Sequence, residues 1–291
     1  VPLQSELVAK IKKDIKNIFV TKLSGKLLIS TDSLIMSGFI NLGIVGLYSN
    51  YTMITLSLNN IVEAFSNTLQ PTVGNLFIEE NHKKEFNVLR QITFVFFLFA
   101  SFAATSLFAL MTPFVSDIWL APEYGLDMII ICWCVNNFYF LTMGYPLSMM
   151  MGVTGLFHKE RNLAIAVSLT NIGLSLLLVK PFGIPGVLCG TFCAYLIQLI
   201  YRIYTLVHVY MKENVRRYVL DVAEYFVITL AEIVIVYFIK NMIYDSGNVI
   251  TFVLLMGVCL AVPNTINLLL FARGWRMKSL FERLRRLLGK N

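Results

Sequence analysis

The sequence predicts an all-α fold, a polytopic membrane bundle of about eight transmembrane helices. Hydrophobic residues make up 57% of the chain and charged residues only 14%, and the mean hydropathy is +0.71. A soluble domain carries about a quarter charged residues. In hydrocarbon only helices or closed barrels satisfy the polar backbone. The long apolar runs of this chain do not alternate as barrel strands of about ten residues would, so we expect helices.

Eight apolar stretches define the expected helices in chain order. They are 17–40, 44–73, 91–112, 126–152, 162–179, 183–206, 219–240 and 248–271. Each is close to the ~20 residues that cross ~30 Å of hydrocarbon. Three of the stretches, the third, fourth and eighth, hold no formal charge between residues 92–112, 128–151 and 246–272.

The basic residues fall on one side when the chain is threaded through a bilayer in this order. All but two of the 24 Lys and Arg residues lie in the ends and connections of one face, and only Lys180 and Lys240 lie toward the other. Short basic loops stay in the cytosol, so we expect both chain ends there. The net charge of +7 belongs to this rim, which predicts contact with anionic lipid headgroups and offers no patch for nucleic acid.

The first stretch carries two cations and one carboxylate on a broad helix face. Lys22 and Lys26 can extend to the cytosolic interface and keep their charge in water. Asp32 lies ten residues beyond Lys22, and its side chain is too short to do the same. A structural role and a functional role for Asp32 both stay open, and the neighbouring stretch favours function.

The second stretch carries a stripe of polar side chains. They recur at steps of three or four residues, which places them on one helix face, and they are Tyr48, Thr52, Thr55, Asn59, Glu63, Ser66 and Gln70. Lipid cannot satisfy these groups, and a carboxylate at mid-bilayer costs about 3 kcal/mol or more. Hydrogen bonding between helices usually needs only one or two such residues. The stripe therefore predicts the wall of a hydrated cavity that Asp32 shares.

Later stretches carry fewer candidates. Glu232 is the only charge in the core of the seventh stretch, and it fits either a transport pathway or a structural partner for a neighbouring helix. Gly183, Gly186 and Gly190 indicate close helix packing. Arg202, at the cytosolic end of its stretch, fits an interface anchor.

No residues with the pattern of an active site can be assembled. The five Cys residues lie within apolar stretches, without the His or carboxylate partners of a metal site, and fit small buried hydrophobes. No Ser/His/Asp arrangement, phosphate loop or pair of catalytic carboxylates is present in the sequence. We therefore expect neither an enzyme nor a metal centre.

Four parts of the chain together resemble the lipid-linked oligosaccharide (O-antigen) flippases. These are the polysaccharide-transporter branch of the multidrug/oligosaccharidyl-lipid/polysaccharide exporter superfamily. The first part is ISTDSLIMSGFINLGIVGLYSNY at 29–51, where an intramembrane Asp precedes a Gly-containing turn and a Tyr-led polar helix. The others are the lysine-rich run before it, the hairpin-like 151–191 with Asn171, and a pair of further stretches after a basic loop.

The resemblance implies a MATE-like architecture of two six-helix lobes followed by two extra helices. In this chain it would give a cytosolic lead-in, the second lobe, the extra pair and a basic cytosolic tail, at 1–16, 17–206, 207–271 and 272–291. The first lobe of the same protein would then be a missing partner. The opening at Val1, in a polar stretch without a signal-peptide core, agrees with a chain that begins in the middle of a longer protein.

The resemblance also implies a function. Such proteins flip undecaprenyl-diphosphate-linked sugars across the bacterial inner membrane by alternating access, without a cofactor and commonly with a coupling ion, H⁺ or Na⁺. A cavity would carry the hydrated headgroup, which accounts for a polar wall. If Lys22 and Lys26 do not reach this cavity, the absent lobe must meet the diphosphate.

Three rival functions stay open. Asp32, Glu63 and Tyr48 also suit a cation-coupled multidrug exporter of the same superfamily. A membrane-embedded polysaccharide polymerase or ligase usually has a large charged external loop, whereas the longest external connection here, roughly 113–125, carries only Asp117 and Glu123. A purely structural subunit would not need the polar stripe.

Overall fold

The computed structural model describes residues 5–76 and 82–278. These ranges are built of helices and contain no strand, which confirms the predicted all-α class. The helices are α1 Ser5–Phe39, α2 Leu42–Leu76, α3 His82–Thr112, α4 Met128–Val153, α5 Phe157–Phe182, α6 Ile184–Ile203, α7 Val215–Ile243 and α8 Val249–Phe271. Short π-helical segments, Pro113–Trp119 and Tyr204–Tyr210, extend α3 and α6, and a 3-10 turn follows at Pro122–Tyr124.

Six of these helices are long and apolar enough to cross a membrane. They are α3 and α6 with their π-helical extensions, and α4, α5, α7 and α8. The protein is therefore a multi-pass helical membrane protein. Helices α1 and α2 are 35 residues each, but they are not among the six because charged and polar side chains interrupt their apolar character. The predicted spans at 17–40 and 44–73 stay predictions.

Helix α1 runs without a break from Ser5 to Phe39. The predicted boundary between the lead-in at 1–16 and the first stretch therefore falls inside one helix. At 1.5 Å per residue the helix is about 50 Å long, which exceeds the ~30 Å of a hydrocarbon core. If α1 crosses a bilayer, its lysine-rich first turns lie outside the hydrocarbon.

One compact unit combines α1, α2, the end of α4, α5 and α6. Its centre is the hairpin of α5 and α6, and α1 packs against α5. Gly183 joins the two hairpin helices with a φ of +62°, a conformation that favours glycine. Gly186 and Gly190 then bring α6 directly against the α5 backbone, because a Cβ on either residue would lie within 3 Å of α5 backbone atoms. The close packing predicted for this glycine series is present at these two residues.

The second compact unit combines α3, most of α4, α7 and α8. Helix α3 packs against both α7 and α8, which also contact each other. Two apolar layers lie within this bundle, an aromatic one of Phe94, Phe97, Tyr225 and Phe271 and an aliphatic one of Ala109, Val236, Leu255 and Cys259. The predicted boundary at residues 206/207, between the six-helix lobe and the two extra helices, does not coincide with this division into units. It separates α3 from α7 and α8, which pack together in the second unit.

Candidate functional site

Asp32 is buried where α1 meets α5 and α6. Its side chain is 7% exposed. The Thr191 hydroxyl donates to Asp32 Oδ2 at 2.7 Å, and the Asn171 amide nitrogen donates to Oδ1 at 3.4 Å. Asn171 also donates to Thr191 Oγ1 at 2.9 Å. Three residues that are far apart in the sequence thus form one polar cluster, called the Asp32 cluster below.

Small side chains make this meeting of helices possible. Gly190 precedes Thr191 on α6, and a Cβ there would lie 2.9 Å from the backbone nitrogen of Ser175 on α5. Ser168 of α5 donates to the carbonyl oxygen of Ser24 on α1 at 3.2 Å. Because glycine and serine let backbones approach closely, Thr191 reaches a carboxylate on a third helix.

The Asp32 cluster has the composition of a small cation site. Within 5–76 and 82–278, no Lys or Arg is paired with the Asp32 carboxylate. Asn171 Oδ1 is buried without a hydrogen-bond partner. Carboxylate, amide and hydroxyl oxygens are ligands that hard cations accept. A buried carboxylate of this kind needs such a cation or a proton to offset the cost of its burial.

The polar stripe of α2 is turned inward. Tyr48 and Ser66 are buried, and the stripe members between them, Thr52, Thr55, Asn59 and Glu63, are half-buried. On the other faces of α2 the apolar side chains are exposed, with exposed fractions of 53%, 58% and 45% for Met53, Ile61 and Phe65. This arrangement suits a helix whose apolar face meets lipid.

Few stripe residues have unsatisfied polar atoms. The hydroxyls of Thr52 and Thr55 donate to carbonyl oxygens of their own helix, at 2.9 and 3.0 Å. Asn59 Oδ1 is buried without a partner. Of these three side chains, Asn59 is therefore the one that retains a free acceptor for a ligand.

Two predicted site residues form an ion pair. Lys22 Nζ donates to Glu63 Oε1 at 2.9 Å, and the side chains are 66% and 38% exposed. An exposed pair of this kind contributes about 0–1 kcal/mol, so its main effect is to neutralise the stripe. Lys26 is exposed. The hydrogen bonds of Asp32 run to α5 and α6 rather than to the stripe, so the predicted site residues belong to two polar groups.

A small cleft lies beside Lys22. Its volume is ≈ 70 Å³, and it is lined by Ile18, Thr21, Lys22, Ser148, Gly152, Phe157 and Glu160. Sites for small molecules usually enclose about 300–1,000 Å³. The cleft is therefore too small to hold a sugar diphosphate.

Glu160 and Arg202 form a buried pair that the sequence did not indicate. Arg202 is 6% exposed, and its Nε donates to Glu160 Oε1 at 3.1 Å. The expected interface anchor is thus a partner for a carboxylate on the preceding helix. Thr191 was not predicted as a site residue either. The signal available in the sequence is a polar residue beside a glycine in an apolar helix.

Sequence and structure comparisons do not add to this description. No family model, no curated protein and no solved structure matches the chain.

Proposed function

We propose that this chain is part of an ion-coupled flippase. It would move undecaprenyl-diphosphate-linked oligosaccharide across the bacterial inner membrane by alternating access, for polysaccharide or O-antigen biosynthesis. The observation that carries the transport proposal is the Asp32 cluster, a buried carboxylate held by Asn171 and Thr191 among membrane helices. The lipid-linked substrate class rests on the resemblance of 29–51 and 151–191 to that family.

The Asp32 cluster offers a physical route to coupling. A bound Na⁺ or proton compensates the carboxylate and favours the arrangement in which α1, α5 and α6 meet. When the cation leaves, the buried negative charge is uncompensated and this arrangement becomes less favourable. A ligand shifts a conformational equilibrium only by its difference in affinity for the two states, and a buried carboxylate provides a large difference.

The α2 stripe is the proposed wall for the hydrated headgroup. Its inward, half-buried polar side chains can donate to or accept from sugar hydroxyls, and Asn59 keeps an unpartnered oxygen. The stripe offers the diphosphate little positive charge, since Lys22 is paired with Glu63. We therefore propose that a further lobe of the same protein supplies the main cationic contacts.

The Lys22–Glu63 pair also separates the two transport functions. A multidrug exporter for organic cations needs an unpaired carboxylate in its cavity. Glu63 is the only acidic residue of the stripe, and Lys22 neutralises it. This observation favours the flippase as far as the stripe is concerned, and the unpaired Asp32 leaves the multidrug exporter as the second candidate.

Substitution of Asp32 tests the proposal in the full-length protein. Asp32→Ala is expected to reduce delivery of lipid-linked sugar to the outer leaflet at least tenfold, because the coupling cation loses its only charged ligand. Glu63→Ala is expected to give a smaller loss, since it releases Lys22 into the stripe. The measurement is complementation of a flippase-deficient strain at equal protein abundance.

Two further variants sharpen this experiment. Asp32→Asn keeps the side-chain shape and one acceptor oxygen and removes the charge, so it is expected to fail as Asp32→Ala does if the residue binds a cation. Glu123→Ala changes an exposed carboxylate and is expected to behave as wild type. Full complementation by both Asp32 variants would show that the carboxylate is structural.

The proposed orientation predicts a reporter pattern. Reporters fused after residues 84, 160, 214 and 291 are expected to read as cytosolic, and those near 43, 121, 181 and 245 as external. The reason is the one-sided distribution of Lys and Arg. An external reading at 214 with a cytosolic reading at 245 would reverse α7 and α8.

A further inference from the structure

Glu232 is a buried carboxylate that the proposed function does not use. It lies near the middle of α7, at Val215–Ile243, and its side chain is 0% exposed. Ser101 of α3 and Asn267 of α8 are the polar side chains beside it. Both side chains are close enough to favour the charged carboxylate, but within the described part of the chain neither Oε1 nor Oε2 accepts a hydrogen bond of regular distance and angle. A charge buried in this way is strongly disfavoured unless something compensates it.

Two apolar layers enclose Glu232 along the bundle axis. On one side Phe97, Tyr225 and Phe271 form an aromatic layer, in which the Phe97 and Tyr225 rings stack at 4.3 Å. On the other side lies the aliphatic layer that includes Val236. The two layers are about three turns apart on each helix, so a polar compartment of limited height separates them.

Further unpartnered oxygens belong to this compartment. Thr105, fully buried on α3, lies one turn beyond Ser101, and its Oγ1 has no hydrogen-bond partner. Asn267 donates its amide nitrogen to Ser101 Oγ at 2.9 Å, while its Oδ1 has no partner. Pro263, buried on α8, lacks an N–H group, which frees a carbonyl oxygen one turn earlier on the helix.

Within 5–76 and 82–278, no Lys or Arg side chain forms an ion pair with Glu232. Tyr139 of α4 interacts with Glu232, and Tyr225 and Cys259 belong to the two flanking layers; all three are neutral types at physiological pH. Lys240 is two turns from Glu232 along α7, where it interacts with Asp117. The compartment therefore combines unsatisfied acceptor oxygens with a carboxylate that lacks a cation.

We propose that Glu232, Ser101, Thr105 and Asn267 form a second site for a small monovalent cation, Na⁺ or H⁺. Carboxylate, amide and hydroxyl oxygens from three helices are a suitable donor set for either ion, and one positive charge compensates the carboxylate. The site would hold α7 and α8 against α3. It is independent of the Asp32 cluster, which belongs to the other compact unit.

Binding of ²²Na⁺ to the purified full chain tests the Na⁺ form. Glu232→Gln is nearly isosteric and is expected to bind one Na⁺ fewer than wild type. Asp32→Asn distinguishes the two sites, because a loss of one bound Na⁺ in this variant would report only on the proposed coupling site. If Asp32→Asn changes nothing and Glu232→Gln removes one Na⁺, Na⁺ coupling at Asp32 fails while the second site stands. The exposed control Glu123→Gln is expected to bind as wild type does.

Infrared difference spectroscopy between acidic and alkaline pH tests the H⁺ form. A carboxylic acid C=O band that is present in wild type and absent in Glu232→Gln supports a bound proton. If Glu232→Gln changes neither the number of bound Na⁺ ions nor this band, the proposal is overturned.

Thr105→Val covers the case in which Glu232→Gln does not fold. It is expected to weaken Na⁺ binding about tenfold or to shift the titration of the band, and unchanged behaviour in both would also overturn the proposal.

Discussion

Replacing Asp221 with Ala is expected to destabilise the protein by about 3–5 kcal/mol, because it leaves the buried Arg90 guanidinium without its counter-ion and Arg276 with Glu224 alone. Arg90 is 3% exposed, and it donates to Asp221 through Nε at 2.5 Å and through Nη2 at 3.0 Å. Arg276 Nη2 donates to the same carboxylate, at Asp221 Oδ1. The expected measurement is a large drop in the midpoint of thermal unfolding in detergent.

Glu224 provides the matched control for this prediction. It pairs with the same Arg276, at 2.9 Å, but its side chain is 48% exposed. A pair open to solvent contributes about 0–1 kcal/mol, so Glu224→Ala is expected to shift the unfolding midpoint little. Equal losses for Asp221→Ala and Glu224→Ala would contradict the assignment of Asp221 as the centre of the network.

Gly186→Ala is expected to destabilise the α5–α6 hairpin by about 1–3 kcal/mol or more. The added Cβ would lie 2.2 Å from the carbonyl oxygen of Leu178 and 2.7 Å from its carbonyl carbon. These are backbone atoms of a helix, so they cannot rotate away as a flexible side chain can. The helices would have to separate, and the Asp32 cluster on the same hairpin would loosen with them. Thermal unfolding in detergent, read together with Na⁺ binding, measures both effects.

Gly173 is the control on α5. A Cβ there meets no atom within 4 Å, and Ala is the better helix former by about 1 kcal/mol. Gly173→Ala is therefore expected to leave the unfolding midpoint unchanged or to raise it. If Gly173→Ala and Gly186→Ala behave alike, the close approach at Gly186 does not limit stability.

Local sequence pattern predicted the helices well. The stretch 162–179 lies inside α5, and 219–240 lies inside α7. These boundaries depend on runs of apolar residues and on the charges that interrupt them, which are properties of neighbouring residues. For the same reason the inward polar face of α2 could be predicted, since a period of three to four residues defines one side of a helix.

Membrane propensity was harder to predict at the two polar helices. The sequence indicated eight spans, and six helices are long and apolar enough to cross a membrane. Lys22 and Asp32 in α1 and the stripe of α2 lower the hydropathy of these two helices, and each such polar group needs a protein partner if its helix crosses the membrane. Hydropathy measures transfer into lipid and carries no information about such partners.

The predicted tail at 272–291 also has a protein partner that hydropathy does not reveal. We expected 272–291 to be a basic cytosolic tail, and its first part, up to residue 278, packs on the second compact unit. Arg276 pairs with Asp221, and Met277 is 6% exposed. The residues beyond 278 lie outside the described part of the chain.

The sequence by itself determined the all-α class, most helix positions and the polar face of α2. Only the tertiary structure decided which polar residues meet. Asp32 joins Asn171 and Thr191, Arg90 joins Asp221, and Glu232 lies between two dry layers without a counter-ion. Hydrophobic periodicity tells which face of a helix is buried, but the choice of neighbour and the register between helices depend on packing between residues far apart in the chain.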